Sequence, residues 1–214
     1  DSSPRSHPIF MNVTSIGGGA NGGHSRMYTL REGTGGTFMN HVTVFSSGDG
    51  ARNYDNGSEV VTQDLAATGL NYPDYLYWSG SNLQFGGVGN DFANNFASLS
   101  FTALGGDPGV TADGREGSSG IIDPRPTFGS PAYDQVEDLP GSIPGWDASG
   151  SLTSYNSDDF FVQAPVKGAF SENLWLRGWS ILDEEGRLPA EGETVSVLEE
   201  DISGQVMLSS ENTY

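Results

Sequence analysis

The chain contains no cysteine. That excludes a disulfide framework, a thiolate metal site and a cysteine nucleophile. It has a single lysine, Lys167, and only nine basic residues against 28 acidic ones, for a formal charge of −19. Such a surface is repelled by nucleic-acid phosphates and by anionic membranes, which argues against both as partners. No apolar run approaches the ~20 residues of a membrane-spanning helix. The three histidines, His7, His24 and His41, lack HExxH or a comparable zinc spacing. There is no GxSxG elbow and no Walker loop, and "GGGANGG" at 17–23 has no strand–loop–helix context. Nothing in the pattern singles out a catalytic pair among the many carboxylates, so the reading leans away from an enzyme.

What is abundant is glycine, with 31 residues, joined by 11 prolines and an aromatic content of 11%. Glycine supplies φ > 0 and proline fixes φ, so this composition suits many turns and short strands and disfavours long helices. The excess of acidic residues keeps a glycine-rich surface solvated, and it also suits cations or a saline medium.

A short phrase recurs. "FMNVT" occupies 10–14 and "FMNHVT" occupies 38–43. Glycines at 17–19, 22–23, 33 and 35–36 punctuate the interval. Short strands with glycine corners and a period of about 20–30 residues are what a solenoid of stacked coils needs. Residues 8–46 therefore read as two strand-rich turns, with Asn12 and Asn40 in register and able to hydrogen-bond along a ladder. Two strands of an ordinary antiparallel sheet are the alternative. Alternation in "TFMNHVTVF" places Phe38, Asn40, Val42 and Val44 on one face, and Met39, His41, Thr43 and Phe45 on the other. Asn12 and Asn56 sit in Asn-x-Ser/Thr sequons, which matter only in a glycosylating host.

Beyond this the pattern predicts a polar loop at 47–60, a short helix over 64–77, and loops at 105–120 and 140–158. Strands are expected at "ASLSFTAL" (97–104), "ETVSVL" (193–198) and "GQVMLS" (204–209). The densest aromatic cluster, Phe160, Phe161, Phe170, Trp175 and Trp179, lies within 160–182. These rings read as packing, with a sugar-stacking platform as the alternative if two of them lie exposed and coplanar. Oxygen-bearing side chains at Asp49, Asn53, Asp55, Ser58 and Glu59 share a glycine-containing loop, which suits Ca²⁺ although the order is not that of an EF-hand.

Two stretches carry a resemblance. "IIDPRPTFGSPAYD" at 121–134 resembles the phrase that closes the last coils in many secreted right-handed parallel β-helix proteins of bacterial type. "DDFFVQAPVKGAFSENLWLRGWSIL" at 158–182 resembles a segment that often follows it, with an aromatic pair, then Gly168-Ala169-Phe170, Asn173, Trp175 and Gly178-Trp179. "LREGTGGTFMNHVTVF" is similar to a coil of such proteins. The resemblance implies a mainly β fold, with terminal β-helix coils and long loop insertions at 1–135, and an aromatic cap with an acidic tail at 136–214. It implies an extracellular or cell-surface location and supplies no catalytic residues.

The first ten residues, which end in "RSHPIF", do not read as a signal peptide; this predicts a signal already removed or a piece cut from a longer precursor. Solenoids usually need about three repeats, so two coils predict a partner polypeptide that supplies upstream coils, or self-assembly. Three functions stay open. The first is a non-catalytic structural or adhesive component that completes a longer β-helix. The second is a non-catalytic part of a polysaccharide-degrading enzyme. The third is a Ca²⁺-dependent carbohydrate-binding module, for which a glycan would be the partner.

Overall fold

The computed structural model describes residues 8–18, 27–30, 36–46, 51–53, 76–86, 106–112, 120–138 and 162–195. Their regular elements are mainly strands, with one short helical turn. No helix among them is long and apolar enough to cross a membrane.

Eight strands follow one another in a cycle of three. β1 (Ile9–Met11), β2 (Thr14–Ile16) and β3 (Tyr28–Leu30) are followed by β4 (Gly36–Met39), β5 (Val42–Val44) and β6 (Ala51–Asn53), and then by β7 (Leu76–Trp78) and β8 (Leu83–Phe85). Every third strand pairs in parallel, giving the sheets β1-β4-β7, β2-β5-β8 and β3-β6. The register places Phe10 opposite Phe38 and Thr14 opposite Val42. The echoed phrase is therefore a spatial neighbour of itself, as its recurrence predicts. Its last two letters do not align, however: Thr14 meets Val42, and Ser15 meets Thr43.

The phrase is also not one strand. Asn12 and Asn40 both have φ of 54° and each separates two strands of different sheets. Asparagine tolerates this left-handed conformation better than most residues with a Cβ. The bend breaks the expected alternation. Phe38 and His41 lie on one side with Tyr28 and Trp78, whereas Val42 and Val44 pack on the other with Val110, Ala132 and Val166. A strict period of two cannot continue through a left-handed corner.

Between these sheets, aromatic rings stand in a column. Phe10 and Phe38 have centroids 5.6 Å apart, and Phe38 stacks on Trp78 at 5.3 Å. Tyr28 meets Phe38 and Trp78 edge-on. The corner at the third level differs. Between Trp78 and Leu83 the chain runs through Ser79–Asn82, one residue longer than the Met39–His41 corner below it. Backbone pairing is interrupted there, and side chains replace it. Asn40 N–H donates to Ser81 Oγ at 3.0 Å, and His41 N–H donates to Asn82 Oδ1 at 3.0 Å.

The outer face of β2-β5-β8 is covered by chain from the C-terminal half. β9 (Thr111–Ala112) pairs antiparallel with β10 (Ile122–Asp123). This corrects the loop expected at 105–120 at two residues only, Thr111–Ala112: residues 106–110 and 120 are irregular, 105 and 113–119 lie outside the described residues, and Val110 and Ala112 are buried. Gly109 has φ of 72°, and a Cβ there would lie 1.9 Å from Thr127 Oγ1, so the close crossing of the two segments requires glycine. The helix expected over 64–77 is likewise corrected at its end, since Leu76–Trp78 is strand β7, drawn into the sheet by pairing with β4. Residues 64–75, the strand expected at 97–104 and that at 204–209 lie outside the described residues. Of 193–198, residues 193–195 are described and form no strand. A second cluster of Phe170, Leu174 and Leu188 is closed by Leu176 and Leu182. Leu182 belongs to α1 (Ile181–Glu184), N-capped by Ser180, whose side chain accepts from Asp183 N–H.

Candidate functional site

Two surfaces offer chemistry, and both depend on how the C-terminal segment is tied to the strands. The ties begin at the corners. Asn12 Nδ2 donates to Val166 O at 2.9 Å. Asn40 Nδ2 donates to Glu137 O at 2.7 Å, and Asn40 Oδ1 accepts from Glu137 N–H at 2.9 Å. The two asparagines do share a register, but they do not bond to each other as a ladder would require. Each turns outward and clasps the backbone crossing over it. Gly168 N–H donates to Asn40 O and Ala169 N–H to Thr14 Oγ1. A Cβ on Gly168 would come within 2.5 Å of Thr14 Oγ1, so the close approach to β2 requires glycine. Glu137 also accepts from Ser79 and Ser81 hydroxyls.

A second tie uses the 121–134 phrase. Arg125 is 6% exposed and forms a two-pronged pair with Asp123, through Nε at 2.9 Å and Nη2 at 2.8 Å. Its Nη1 donates to the carbonyls of Glu172 and Glu193. Asp123 holds the guanidinium more firmly protonated than usual. The fork thus pins three stretches of chain at one point. Lys167 is 5% exposed. Burial pulls its ammonium below the usual lysine range, and Asp134 opposes that pull.

The first surface is the free side of β1. Among the described residues β1 pairs only with β4. Pro8 O accepts from Thr37 N–H and Asn12 N–H donates to Met39 O. In a parallel ladder alternate residues face opposite sides, so the amides and carbonyls of Ile9 and Met11 point away from β4. Phe10, 45% exposed, is the outermost ring of the aromatic column. Just behind it His41 is almost fully buried. His41 Nε2 lies 3.0 Å from Phe10 O, which can only accept, so Nε2 carries the proton and Nδ1 accepts from Tyr28 OH at 2.8 Å. Burial holds His41 down at about 4, and burial raises the Tyr28 phenol, against hydrogen bonds from Ser15 and Thr43.

The second surface is an aromatic staircase. Phe170 is buried and stacks on Trp175 with centroids 4.9 Å apart and planes 5° from parallel. Trp175 stacks on Trp179 at 5.8 Å and 9°. Trp175 is 46% exposed and Trp179 67%. Both indole N–H groups are spent inward: Trp175 Nε1 donates to Ala169 O and Trp179 Nε1 to Trp175 O. Gly178 has φ of 82° with open space around it, so the turn needs its conformation and not its small size. Asp183 accepts from Gly178 N–H and lies 3.5 Å from Arg177. Beside the staircase is a cleft of about 640 Å³ whose lining includes Arg125, Phe128, Glu172, Asn173, Arg177 and Glu193.

Of the residues singled out for a cation, Asn53 ends β6. Asp49, Asp55, Ser58 and Glu59 lie outside the described residues, as do His7, His24, Phe160 and Phe161. No group of three or more His, Asp or Glu side chains is placed to hold a metal ion among the described residues. The clasping role of Asn12 and Asn40 and the Tyr28–His41 pair escaped the sequence reading. The first gave no signal in the pattern, since the apparent alternation runs straight through Asn40 and only the left-handed backbone marks the corner. No family model matches the chain, and no curated protein and no solved structure matches it either.

Proposed function

We propose that the chain is a non-catalytic structural or adhesive component of an extracellular or cell-surface assembly. In this reading the three parallel sheets are terminal coils of a right-handed parallel β-helix, of the bacterial secreted type that the 121–134 and 158–182 phrases resemble. The free side of β1 then accepts another coil, from a second polypeptide or a second copy of this chain. The order β1-β4-β7, β2-β5-β8, β3-β6 supports the coil reading, because a chain that visits three sheets in turn and returns in parallel is winding. Parallel crossovers are overwhelmingly right-handed, which supports the hand.

The observation that carries the docking role is Phe10. A ring left 45% exposed at the end of a column of stacked rings, beside outward-facing Ile9 and Met11 backbone groups, is a template for one more strand. Hydrogen exchange tests it in the assembly isolated from its natural source. The amides of Ile9 and Met11 should be protected there and exchange freely in the chain alone. Peptide mapping of the same particle should recover the strand that covers them. A native particle that contains only monomeric chain, with both amides exchanging fast, would overturn the reading.

A further inference from the structure

We propose that Trp175 and Trp179 form a binding site for neutral pyranose oligosaccharides, separate from the free side of β1. Parallel rings in van der Waals contact lie about 3.5 Å apart plane to plane. Centroids 5.8 Å apart therefore mean that Trp179 is slipped sideways over Trp175 by more than half a ring, so each indole overhangs its neighbour. The steps are rigid. Both N–H groups are anchored to backbone carbonyls, Phe170 backs the stack from the core, and the turn into Ser180-capped α1 fixes Trp179. What faces outward is aromatic surface without a free indole donor. Such a surface selects a partner that presents flat C–H faces and carries its own donors, and a pyranose with equatorial hydroxyls is that partner.

Size and charge narrow the occupant. A fully exposed tryptophan offers up to about 250 Å², so the two indoles, 46% and 67% exposed, present under ~300 Å². Even with Ile181, which is 61% exposed, that falls well short of the about 800 Å² per partner of a stable protein interface. It is enough for two or three sugar rings. The sequence around the two tryptophans is acidic, with Glu172 before them and Asp183 and Glu184 after, and Arg177 between them is engaged by Asp183 and by the Pro189 carbonyl. Carboxylates accept from sugar hydroxyls and repel uronate or sulfate groups. The assignment is therefore to uncharged chains.

Isothermal titration of the full chain with cellohexaose, chitohexaose and polygalacturonate provides the test. At least one of the first two should bind saturably, and polygalacturonate should bind more weakly. Trp179→Ala should weaken binding about tenfold, Trp179→Phe by less, and Val162→Ala, at a separate exposed site, not at all. On the wild-type chain, which bypasses any folding defect, the indole N–H resonances of Trp175 and Trp179 should shift with ligand while that of buried Trp78 stays. Absence of saturable binding by both neutral hexamers would overturn the proposal. So would preference for polygalacturonate, ligand shifts that spare Trp175 and Trp179, or a self-association of the wild type that Trp179→Ala abolishes.

Discussion

At Asn40 one side chain does two things. It lets the backbone turn through a left-handed corner, and it holds both backbone groups of Glu137. Substitutions separate the two roles. Asn40→Gly keeps the corner and loses the clasp, and should cost ~1–2 kcal/mol in urea unfolding. Asn40→Ala loses both and should cost about 1 kcal/mol more. His41 makes stability depend on pH. Burial lowers its folded-state pKa from 6.5 to about 4, so folding favours the neutral ring. Its contribution is complete above the unfolded value of 6.5 and is lost as pH falls from there toward 4. The loss should reach ~3 kcal/mol, and the chain carrying His41→Gln should show a flatter acid limb in thermal melts from pH 7 to 4. Tyr133 offers the opposite sign. Its hydroxyl is buried and has no hydrogen-bond partner among the described residues. Tyr133→Phe should stabilise by about 1 kcal/mol, read from the same unfolding curves. None of these roles could be seen by reading residues singly. Asn40 meets Glu137 from 97 positions away, and His41 is defined by Tyr28 and Phe10 around it.

At the scale of the element, the recurrence of Phe-Met-Asn made β1 and β4 legible as neighbours, because stacked repeats share the residues that their common environment selects. The same recurrence could not reveal where a strand ends. Short strands bounded by left-handed asparagines look like one alternating run until the corner is placed. Nor could it reveal β7, whose sequence "LYW" overlaps the end of the short helix expected over 64–77. Pairing with β4 outweighs that local preference. The staircase was half legible: the rings were visible, but their slip and exposure depend on Gly178 and on two indole–carbonyl bonds. Arg125 joins the chain next to β10 to the carbonyls of Glu172 and Glu193. Arg125→Lys keeps the charge but loses the fork to Asp123 and at least one of the carbonyls of Glu172 and Glu193. Urea unfolding should show a cost of ~2–4 kcal/mol, larger than deletion of an exposed ion pair would give.

For the whole molecule, composition told most. Abundant glycine and proline pointed to a chain of many turns and short strands, and the regular elements of the described residues are mainly strands. Net charge of −19 acts on every part at once. Like charges crowd together on folding, and salt screens them over a Debye length of about 10 Å at 0.1 M. The melting temperature should therefore rise between 10 mM and 150 mM sodium chloride, and a flat response would show that the unpaired acids lie too far apart to repel one another appreciably.

The burial of Lys167 has a practical consequence. It is the chain's one lysine, and it is 5% exposed. Reagents that couple to side-chain amines thus find almost no target while the chain is folded. Acylation of Lys167 becomes a clock for opening: the rate at which the label appears reports how often the segment clasped by Asn12 and Asn40 lets go.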